Sequence, residues 1–215
     1  MCCRRHGCAG PRRPPAPARE RTSERRKRPG NAREPGGNKQ RTGGVVMPGS
    51  SSAGADAREL AEQVLAVLRA GGHTVAVAES LTGGLVAAAL TDIPGSSAAF
   101  RGAVVAYATE LKAALLDVDR AMLARHGAVY PPVAAAMAQG VRERLGASYG
   151  VATTGVAGPE PSEGQPVGTA HIAVSAADDT VVRTVVLGGD RNQIRRLTVE
   201  HALGLLLGRL REDTA

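Results

Sequence analysis

The most telling motif of this 215-residue chain is Ala78-Glu79-Ser80-Leu81-Thr82-Gly83-Gly84, which lies between two apolar runs. The run before it, at 74–78, indicates a buried strand, and the run after it, at 85–90, indicates a helix. A serine at a strand-to-helix turn exposes its hydroxyl above the strand end, beside the unpaired N–H groups of the helix start. Because such N–H groups can stabilise a negative oxygen, the motif makes Ser80 a candidate nucleophile.

Ser80 also has a structural interpretation, since serine is a common helix N-cap. Two neighbouring features favour chemistry instead. Gly83 and Gly84 occupy the first helical turn, where glycine costs stability but lets another group approach the backbone closely. Glu79 lies between the buried strand and the turn, where an unpaired carboxylate would be expensive.

The body of the chain predicts an α/β fold, specifically a three-layer α/β/α domain with a mixed central sheet. Helices and strands alternate first, and a hairpin across Asp178-Asp179 follows later. The predicted helices cover 56–70, 84–91, 109–116, 119–126, 131–145 and 193–209. The predicted strands cover 74–78, 102–107, 149–154, 169–176 and 180–187.

A serine nucleophile needs a base, and the best candidate pair is Lys112 with Tyr107. Tyr107 closes the predicted strand 102–107 and Lys112 follows in the next helix, so both can reach the sheet edge that carries Ser80. Desolvation can lower the pKa of a lysine toward neutrality, and a tyrosine hydroxyl can relay the proton or hold the lysine. The alternative is a solvated lysine and a core tyrosine. Lys112 is the only lysine in residues 51–215, which favours a specific role for its amine.

Three other groups leave alternatives open. The segment 153–159 follows a strand, and its backbone N–H groups either meet a phosphate or carboxylate or form a simple tight connection. Three arginines at the start of the last predicted helix either provide positive charge for a phosphate or form a solvated helix face; they are Arg191, Arg195 and Arg196. A Ser-His-Asp triad is a further alternative. No local sequence feature links Ser80 to any of the four histidines in residues 51–215, which are His73, His126, His171 and His201.

Residues 1–54 are predicted to form a disordered basic tail before a domain at 55–212. The first 50 residues hold 13 Lys+Arg, 3 Asp+Glu and all three cysteines, and no aromatic residue. Such a composition buries too little surface to offset the entropy of ordering. The tail could bind nucleic acid or act as a targeting peptide, but without aromatic residues to stack on bases a nucleic-acid partner is the weaker prediction. A further interpretation is that translation starts at Met47, so that most of the tail is not made.

The body contains no cysteine, which excludes disulfides, thiolate catalysis and Cys-ligated zinc there. No apolar run reaches the ~20 residues of a membrane helix. We therefore expect a soluble, cytoplasmic domain without a membrane partner.

Several motifs, in this order, resemble the CinA C-terminal family of competence-damage-inducible proteins, whose characterised members are nicotinamide-nucleotide amidohydrolases. The similarity covers roughly 56–210. The matching segments are Ala78–Gly84, Pro94–Ser97, Phe100–Tyr107, Lys112, His126–Val129, Thr154–Pro159 and Pro166–Thr169.

The resemblance implies hydrolysis of the carboxamide of nicotinamide mononucleotide to nicotinate mononucleotide and ammonia, in pyridine nucleotide salvage. The catalytic Ser, Tyr and Lys of the family fall on Ser80, Tyr107 and Lys112. Ser80 would attack the amide, while Lys112, assisted by Tyr107, would move the proton. The resemblance implies a homodimer and no metal or organic cofactor. We expect the N–H groups near Thr82 and Gly83 to form the oxyanion site. The candidate substrate-binding residues are Glu79, Thr82, Gly83, Thr109, Thr154, Gly155, Ala157 and Gly158.

Three departures from the family pattern concern the substrate more than the nucleophile. Ala108-Thr109 stands where the family often has Ser-Asn, and Tyr130-Pro131-Pro132 where it often has Ser-x-Glu. Residues 160–164 replace a longer glycine run. These differences motivate an alternative function, a nucleotide-binding or regulatory module with little or no catalysis, linked to competence or DNA damage.

Overall fold

The computed structural model describes residues 56–214 with their side chains, and the backbone of one further strand, β1. The strands are β1 (Lys39–Val46), β2 (Val75–Glu79), β3 (Phe100–Val105), β4 (Tyr149–Gly155), β5 (Thr169–Ser175) and β6 (Asp179–Val186). The helices are α1 (Ala57–Ala70), α2 (Leu85–Thr91), α3 (Thr109–Leu116), α4 (Arg120–His126), α5 (Pro131–Arg144) and α6 (Arg191–Asp213), with a 3₁₀ turn at Ser96–Ala98. The predicted start at Met47 lies outside the described residues.

The strands form one mixed sheet in the order β1-β6-β5-β4-β2-β3. The neighbours β2, β3 and β4 run parallel, and β5 pairs antiparallel with both β4 and β6. Because β2, β3 and β4 share a direction, their carboxyl ends meet at one edge of the sheet, which is where parallel sheets place their sites. The predicted mixed sheet and late hairpin are confirmed.

Strand β1 departs from the predicted tail, since Lys39–Val46 lies within the segment 1–54. It runs parallel to β6, with Lys39 opposite Asp179 and Val46 opposite Val185. Without it, β6 would present an unpaired row of N–H and C=O groups. Main-chain pairing of this kind requires no buried apolar side chain, so the polar composition of the segment gave no sign of it. The rest of the predicted tail lies outside the described residues.

Helices cover both faces of the sheet and confirm the predicted three layers. Helices α1, α2 and α6 pack on the face that contains Val75 and Val77, and α3, α4 and α5 pack on the face of Ala76 and Ala78. This division follows from the two-residue period of a strand. The second face is rich in alanine, which lets α5 lie close to the sheet. A Cβ on Gly150 would overlap the main chain of that helix.

Local capping explains where the two long outer helices begin. The Asp56 carboxylate accepts the N–H of Glu59 at 2.8 Å, which starts α1. At the start of α6, Asp190 and Gln193 form a capping box, each side chain accepting the other residue's N–H at 2.8 Å. None of the described helices combines the length and the apolar character needed to cross a lipid bilayer.

Candidate active site

The turn after β2 has the predicted strand-to-helix geometry. Ser80 follows the last residue of β2, and its N–H donates to the carbonyl of Thr153 in the neighbouring β4 at 3.0 Å. Gly83 and Gly84 have φ values of 59° and 101°. Glycine adopts this left-handed region without steric cost, so the pair lets the chain turn sharply into α2. The serine side chain is thereby fixed at the carboxyl end of the sheet.

The Lys112 amine lies beside the Ser80 hydroxyl, with Nζ 3.1 Å from Oγ. Nζ also donates to the main-chain carbonyls of Ala106 at 2.8 Å and Tyr107 at 3.3 Å. Lys112, the only lysine in residues 51–215, is fully buried although it lies on a short helix. Burial lowers the pKa of its amine from 10.5 to about 8, because a low-dielectric environment disfavours the ammonium form. The predicted meeting of Ser80 with Lys112 is present in the structure.

Tyr107 lies at the site in a different way from the one expected. Strand β3 ends at Val105 rather than at 107, so Tyr107 belongs to the connection between β3 and α3. It holds Lys112 through its main-chain carbonyl. Its hydroxyl instead accepts a hydrogen bond from Arg191 Nη2 at 3.0 Å, and the side chain is 59% exposed. The expected contact between the Tyr107 hydroxyl and the Lys112 amine is therefore replaced by one between hydroxyl and guanidinium.

A cavity of about 280 Å³ opens in front of Ser80 and Lys112. Its walls come from the turn after β2, the β3–α3 connection, the segment before α5, the loop after β4 and the start of α6. Of the residues predicted for the site, eight line this cavity: Ser80, Tyr107, Thr109, Lys112, Thr154, Gly155, Ala157 and Gly158. The segment 153–159, which includes the end of β4, therefore forms part of the cavity wall and is not only a tight connection between elements.

Glu79 was expected to bind substrate, but its carboxylate does not line the cavity and instead stabilises the fold. It is fully buried and accepts the N–H groups of Gly84 at 2.8 Å, Val86 at 3.2 Å and Ala87 at 2.9 Å. These are the donors that a helix start leaves unpaired. The expectation that they would be free beside Ser80 therefore fails, since the residue directly before the serine uses them.

The expected oxyanion site near Thr82 and Gly83 also changes. The Gly83 N–H donates to the Ser80 carbonyl at 3.1 Å, and the Thr82 hydroxyl bonds to the Thr153 hydroxyl at 2.7 Å. Neither residue lines the cavity. Within the described part of the chain, the N–H groups of Leu81 and Thr82 donate no hydrogen bond, and Leu81 does line the cavity. The N–H of Leu81 thus remains as a free donor next to the serine.

Two of the three arginines considered from the sequence act at the site. Arg191 spans the cavity mouth, donating to the Gly158 carbonyl at 2.6 Å and to the Tyr107 hydroxyl. Arg195 donates to the carbonyls of Leu81 at 3.0 Å and Thr82 at 2.8 Å, which clamps the turn that carries Ser80. The sequence alone does not distinguish these two from Arg196, because all three lie on α6 and only the fold decides which face of that helix meets the site.

The cavity also contains residues that sequence reasoning did not single out. They are Leu81, Ala128, Val129, Val156, Glu160, Ser162 and Glu163. Two sequence features pointed to these segments: the family motif at 126–129 and the replaced glycine run at 160–164. Neither feature indicated which side chains line the cavity.

The remaining alternatives lie away from Ser80. None of the histidines within 56–214 lines the cavity, so a Ser-His-Asp triad finds no support among the described residues. Tyr130 stacks on His126, with ring centroids 4.5 Å apart, and together with Pro132 lines a separate cavity. The departure from the family pattern at 130–132 therefore falls outside the wall around Ser80. Over the same described range, no three His, Asp or Glu side chains converge to hold a metal ion.

The comparison with known proteins agrees with the motifs. Residues 57–210 match the family model of the CinA C-terminal domain. The chain belongs to the CinA C-terminal domain family. A CinA-like protein of Frankia casuarinae is 59% identical over 143 residues, which is 66% of this chain and 33% of that protein. A CinA-like protein of Gloeobacter violaceus is 49% identical over 164 residues, 75% of this chain and 38% of that protein. The chain thus spans about a third of the length of these curated relatives.

Solved structures of the CinA superfamily share the fold. The CinA superfamily protein of Klebsiella pneumoniae superposes with a TM-score of 0.71 at 31% identity, covering 74% of this chain and 99% of that one. The competence/damage-inducible protein of Agrobacterium tumefaciens superposes with a TM-score of 0.69 at 37% identity, covering 76% of this chain and 97% of that one. The CinA domain described above therefore corresponds to nearly the whole of these structures.

Proposed function

We propose that this CinA domain hydrolyses the carboxamide of nicotinamide mononucleotide to nicotinate mononucleotide and ammonia. Ser80 is the nucleophile and Lys112 is the base. The observation that carries the proposal is the 3.1 Å contact between the buried Lys112 amine and the Ser80 hydroxyl, at the wall of an open cavity. A desolvated lysine within hydrogen-bond distance of a serine is the arrangement that nucleophilic catalysis without histidine requires.

The contacts of Lys112 suit the neutral amine. A neutral amine has two N–H donors and one lone pair. The carbonyls of Ala106 and Tyr107 accept the two donors, which leaves the lone pair for the Ser80 proton. With a pKa of about 8, a substantial fraction of the amine is neutral at mildly alkaline pH. The same three contacts also satisfy the ammonium once it has taken the proton, so the side chain need not move during the reaction.

Acylation proceeds by proton transfer from Ser80 to Lys112 as Oγ attacks the carboxamide carbon. The carbonyl oxygen becomes negative in the tetrahedral intermediate, and the free N–H of Leu81 lies next to the nucleophile to stabilise it. The Lys112 ammonium then gives its proton to the amide nitrogen. The C–N bond breaks, ammonia leaves, and an ester on Ser80 remains.

Deacylation repeats these steps with water. Lys112, neutral again, takes a proton from a water molecule that attacks the ester carbon. The second tetrahedral intermediate collapses as Lys112 returns that proton to Ser80 Oγ, which releases the product as its carboxylic acid. The acid then ionises to the carboxylate, and its proton passes to the released ammonia in solution. One water is consumed and one ammonia is formed, so the reaction balances without a redox partner.

The cavity offers complementary groups for a pyridine nucleotide. Arg191 at the mouth provides positive charge for a phosphate, and guanidinium groups bind phosphate well. Tyr107 exposes an aromatic ring beside it, which favours contact with the cationic pyridinium ring. Both features support a small, zwitterionic nucleotide as substrate.

The test is ammonia release from nicotinamide mononucleotide by the full chain, compared with Ser80→Ala. We expect the variant to lose at least about 10³-fold of kcat, because it removes the nucleophile. The activity of the wild-type protein should rise with pH through about 8, where the amine loses its proton. Ser97→Ala, at an exposed serine of the 3₁₀ turn, is the matched control.

Undiminished ammonia release by Ser80→Ala would refute the proposal. Thermal stabilisation of the wild-type protein by the nucleotide, without any ammonia, would point instead to a nucleotide-binding or regulatory module.

A further inference from the structure

The loop after β4 contains a tight turn at 162–165 with an unusual residue in it. Ser162 and Gln165 exchange main-chain hydrogen bonds of 3.2 and 2.9 Å, and the two residues between them, Glu163 and Gly164, have φ values of 52° and 73°. Two left-handed central residues are the pattern of a type I′ turn, which favours Gly, Asn or Asp. A glutamate at such a position is disfavoured, and disfavoured backbone often marks a side chain with a role.

The Glu163 carboxylate supports the wall of the Ser80 cavity. Its Oε2 accepts the N–H of Val129 at 2.8 Å, while the Thr154 hydroxyl donates to the carbonyl of Ala128 at 2.8 Å. Gly127 makes the approach possible, since a Cβ there would overlap the carboxylate. The short wall 128–129 is therefore held both by a side chain of β4 and by a side chain of the loop that follows β4, and Glu163 is one of these anchors.

The same carboxylate lines the cavity that contains Lys112. Its negative charge favours the ammonium form and so opposes the effect of burial on the pKa of Lys112. Glu110 on the same helix as Lys112 acts in the same direction. The other titratable or charged groups around the cavity are Tyr107, Glu160 and Arg191.

We propose that Glu163 is a positioning residue of the site, which fixes the wall at Ala128–Val129 and holds a negative charge toward Lys112. Through that charge it shifts, to higher pH, the range in which the amine works as a base. The inference deepens the proposed amidase reaction and rests on it for the role of Lys112. The turn at 162–165 is thereby a device that places one carboxylate at the edge of the cavity.

Lysine NMR separates the two effects of this side chain. The full chain has three lysines, Lys27, Lys39 and Lys112, so a protein labelled with ¹³C at lysine Cε gives few signals, and Lys112→Arg identifies the one that matters. The titration of that signal is followed in the wild-type protein, in Glu163→Gln and in Glu163→Ala. Gln keeps an oxygen that can accept the Val129 N–H but loses the charge, whereas Ala loses both.

We expect Glu163→Gln to lower the titration midpoint of Lys112 by about 0.5 pH unit, a size consistent with an exposed charge that solvent screens. The acidic limb of the pH–rate profile for ammonia release should move by the same amount, with KM nearly unchanged. Glu163→Ala should show the same shift of the midpoint, together with a several-fold higher KM, because the wall at 128–129 loses an anchor.

Glu160→Gln is the matched control, since it removes an equal charge from the same cavity and, within residues 56–214, Glu160 makes no hydrogen bond or ion pair. Its effect on the Lys112 midpoint should be clearly smaller. An unchanged midpoint in Glu163→Gln, or an equal shift in Glu160→Gln, overturns the inference. Because the titration requires no turnover, a protein that releases no ammonia would refute the amidase proposal while the Lys112 midpoint still decides the role of the Glu163 charge.

Discussion

Two fully buried ionisable side chains flank Ser80, and the protein uses them in opposite ways. Glu79 precedes the serine, and its carboxylate accepts three N–H groups at the start of α2. Lys112 approaches from α3, and its amine contacts two carbonyls and the serine hydroxyl. The carboxylate is paired wholly with fixed backbone donors, whereas the amine has a side-chain hydroxyl as its third partner.

This difference shows why buried charge alone does not identify a catalytic residue. Burying a charge is unfavourable unless hydrogen bonds compensate it, and both side chains meet that condition. Only Lys112 lines the cavity and has a partner that can exchange a proton with it. The contacts of a buried charge, rather than its burial, separate a structural role from a chemical one.

Of the single substitutions at the two buried charges and at Tyr107, the largest effect is expected at Glu79. Glu79→Ala should lower the free energy of unfolding by about 3 kcal/mol, because three N–H groups lose their acceptor inside the domain. Urea denaturation measures it. Glu62→Ala, at an exposed carboxylate whose one ion pair among residues 56–214 is with Arg58, should change the value by less than about 0.5 kcal/mol. Equal stabilities for the two variants would show that Glu79 does not anchor α2.

An intermediate effect is expected at Lys112, and it depends on pH. Since the pKa of Lys112 falls from 10.5 to about 8 in the folded protein, the unfolded chain binds the proton more tightly. Stability therefore rises with pH between those two values. The free energy of unfolding of the wild-type protein should gain about 2 kcal/mol relative to Lys112→Met between about pH 7 and pH 10. Ser80→Ala, which removes no charge, should track the wild-type protein, and a constant difference for Lys112→Met would contradict the lowered pKa.

The smallest effect is expected at Tyr107, and it tests whether the Tyr107 hydroxyl takes part in the proton transfer. Tyr107→Phe removes only the hydroxyl that Arg191 contacts and leaves the carbonyl that holds Lys112. We expect kcat/KM for nicotinamide mononucleotide to fall a few-fold, the value of about one neutral hydrogen bond. A loss of about 10²-fold or more would instead place the hydroxyl in the proton transfer.

Local patterns in the sequence were enough to predict the layers of the fold and the pairing of Ser80 with Lys112 at the centre of the site. The apolar runs around 78–84 predicted the turn, and the single lysine of the body predicted the meeting of Lys112 with Ser80. Both rest on elements whose period and order are visible along the chain. Strand β1 was not visible, because it joins the sheet by main-chain bonds from a polar segment.

The details that the sequence did not reveal depend on distant contacts. The partner of the Tyr107 hydroxyl, Arg191, lies 84 residues further along the chain. Glu163 reaches Val129 across 34 residues, from a turn at 162–165 that the sequence did not predict. The use of the α2 donors by Glu79 is local, yet it requires the side chain to fold back over the turn, which the motif alone does not specify.

The contacts of Arg195 with the Ser80 turn can form only late in the synthesis of the domain. Arg195 lies 114 residues after Leu81, whose carbonyl it holds, and α6 is the last described element. A ribosome adding about 5 to 20 residues per second needs roughly 6 to 23 seconds to cover that interval. During this time the nascent chain already contains the serine and, soon afterwards, the lysine, but not the arginine that fixes the turn. The contacts that hold the Ser80 turn are therefore completed only when α6 has been synthesised.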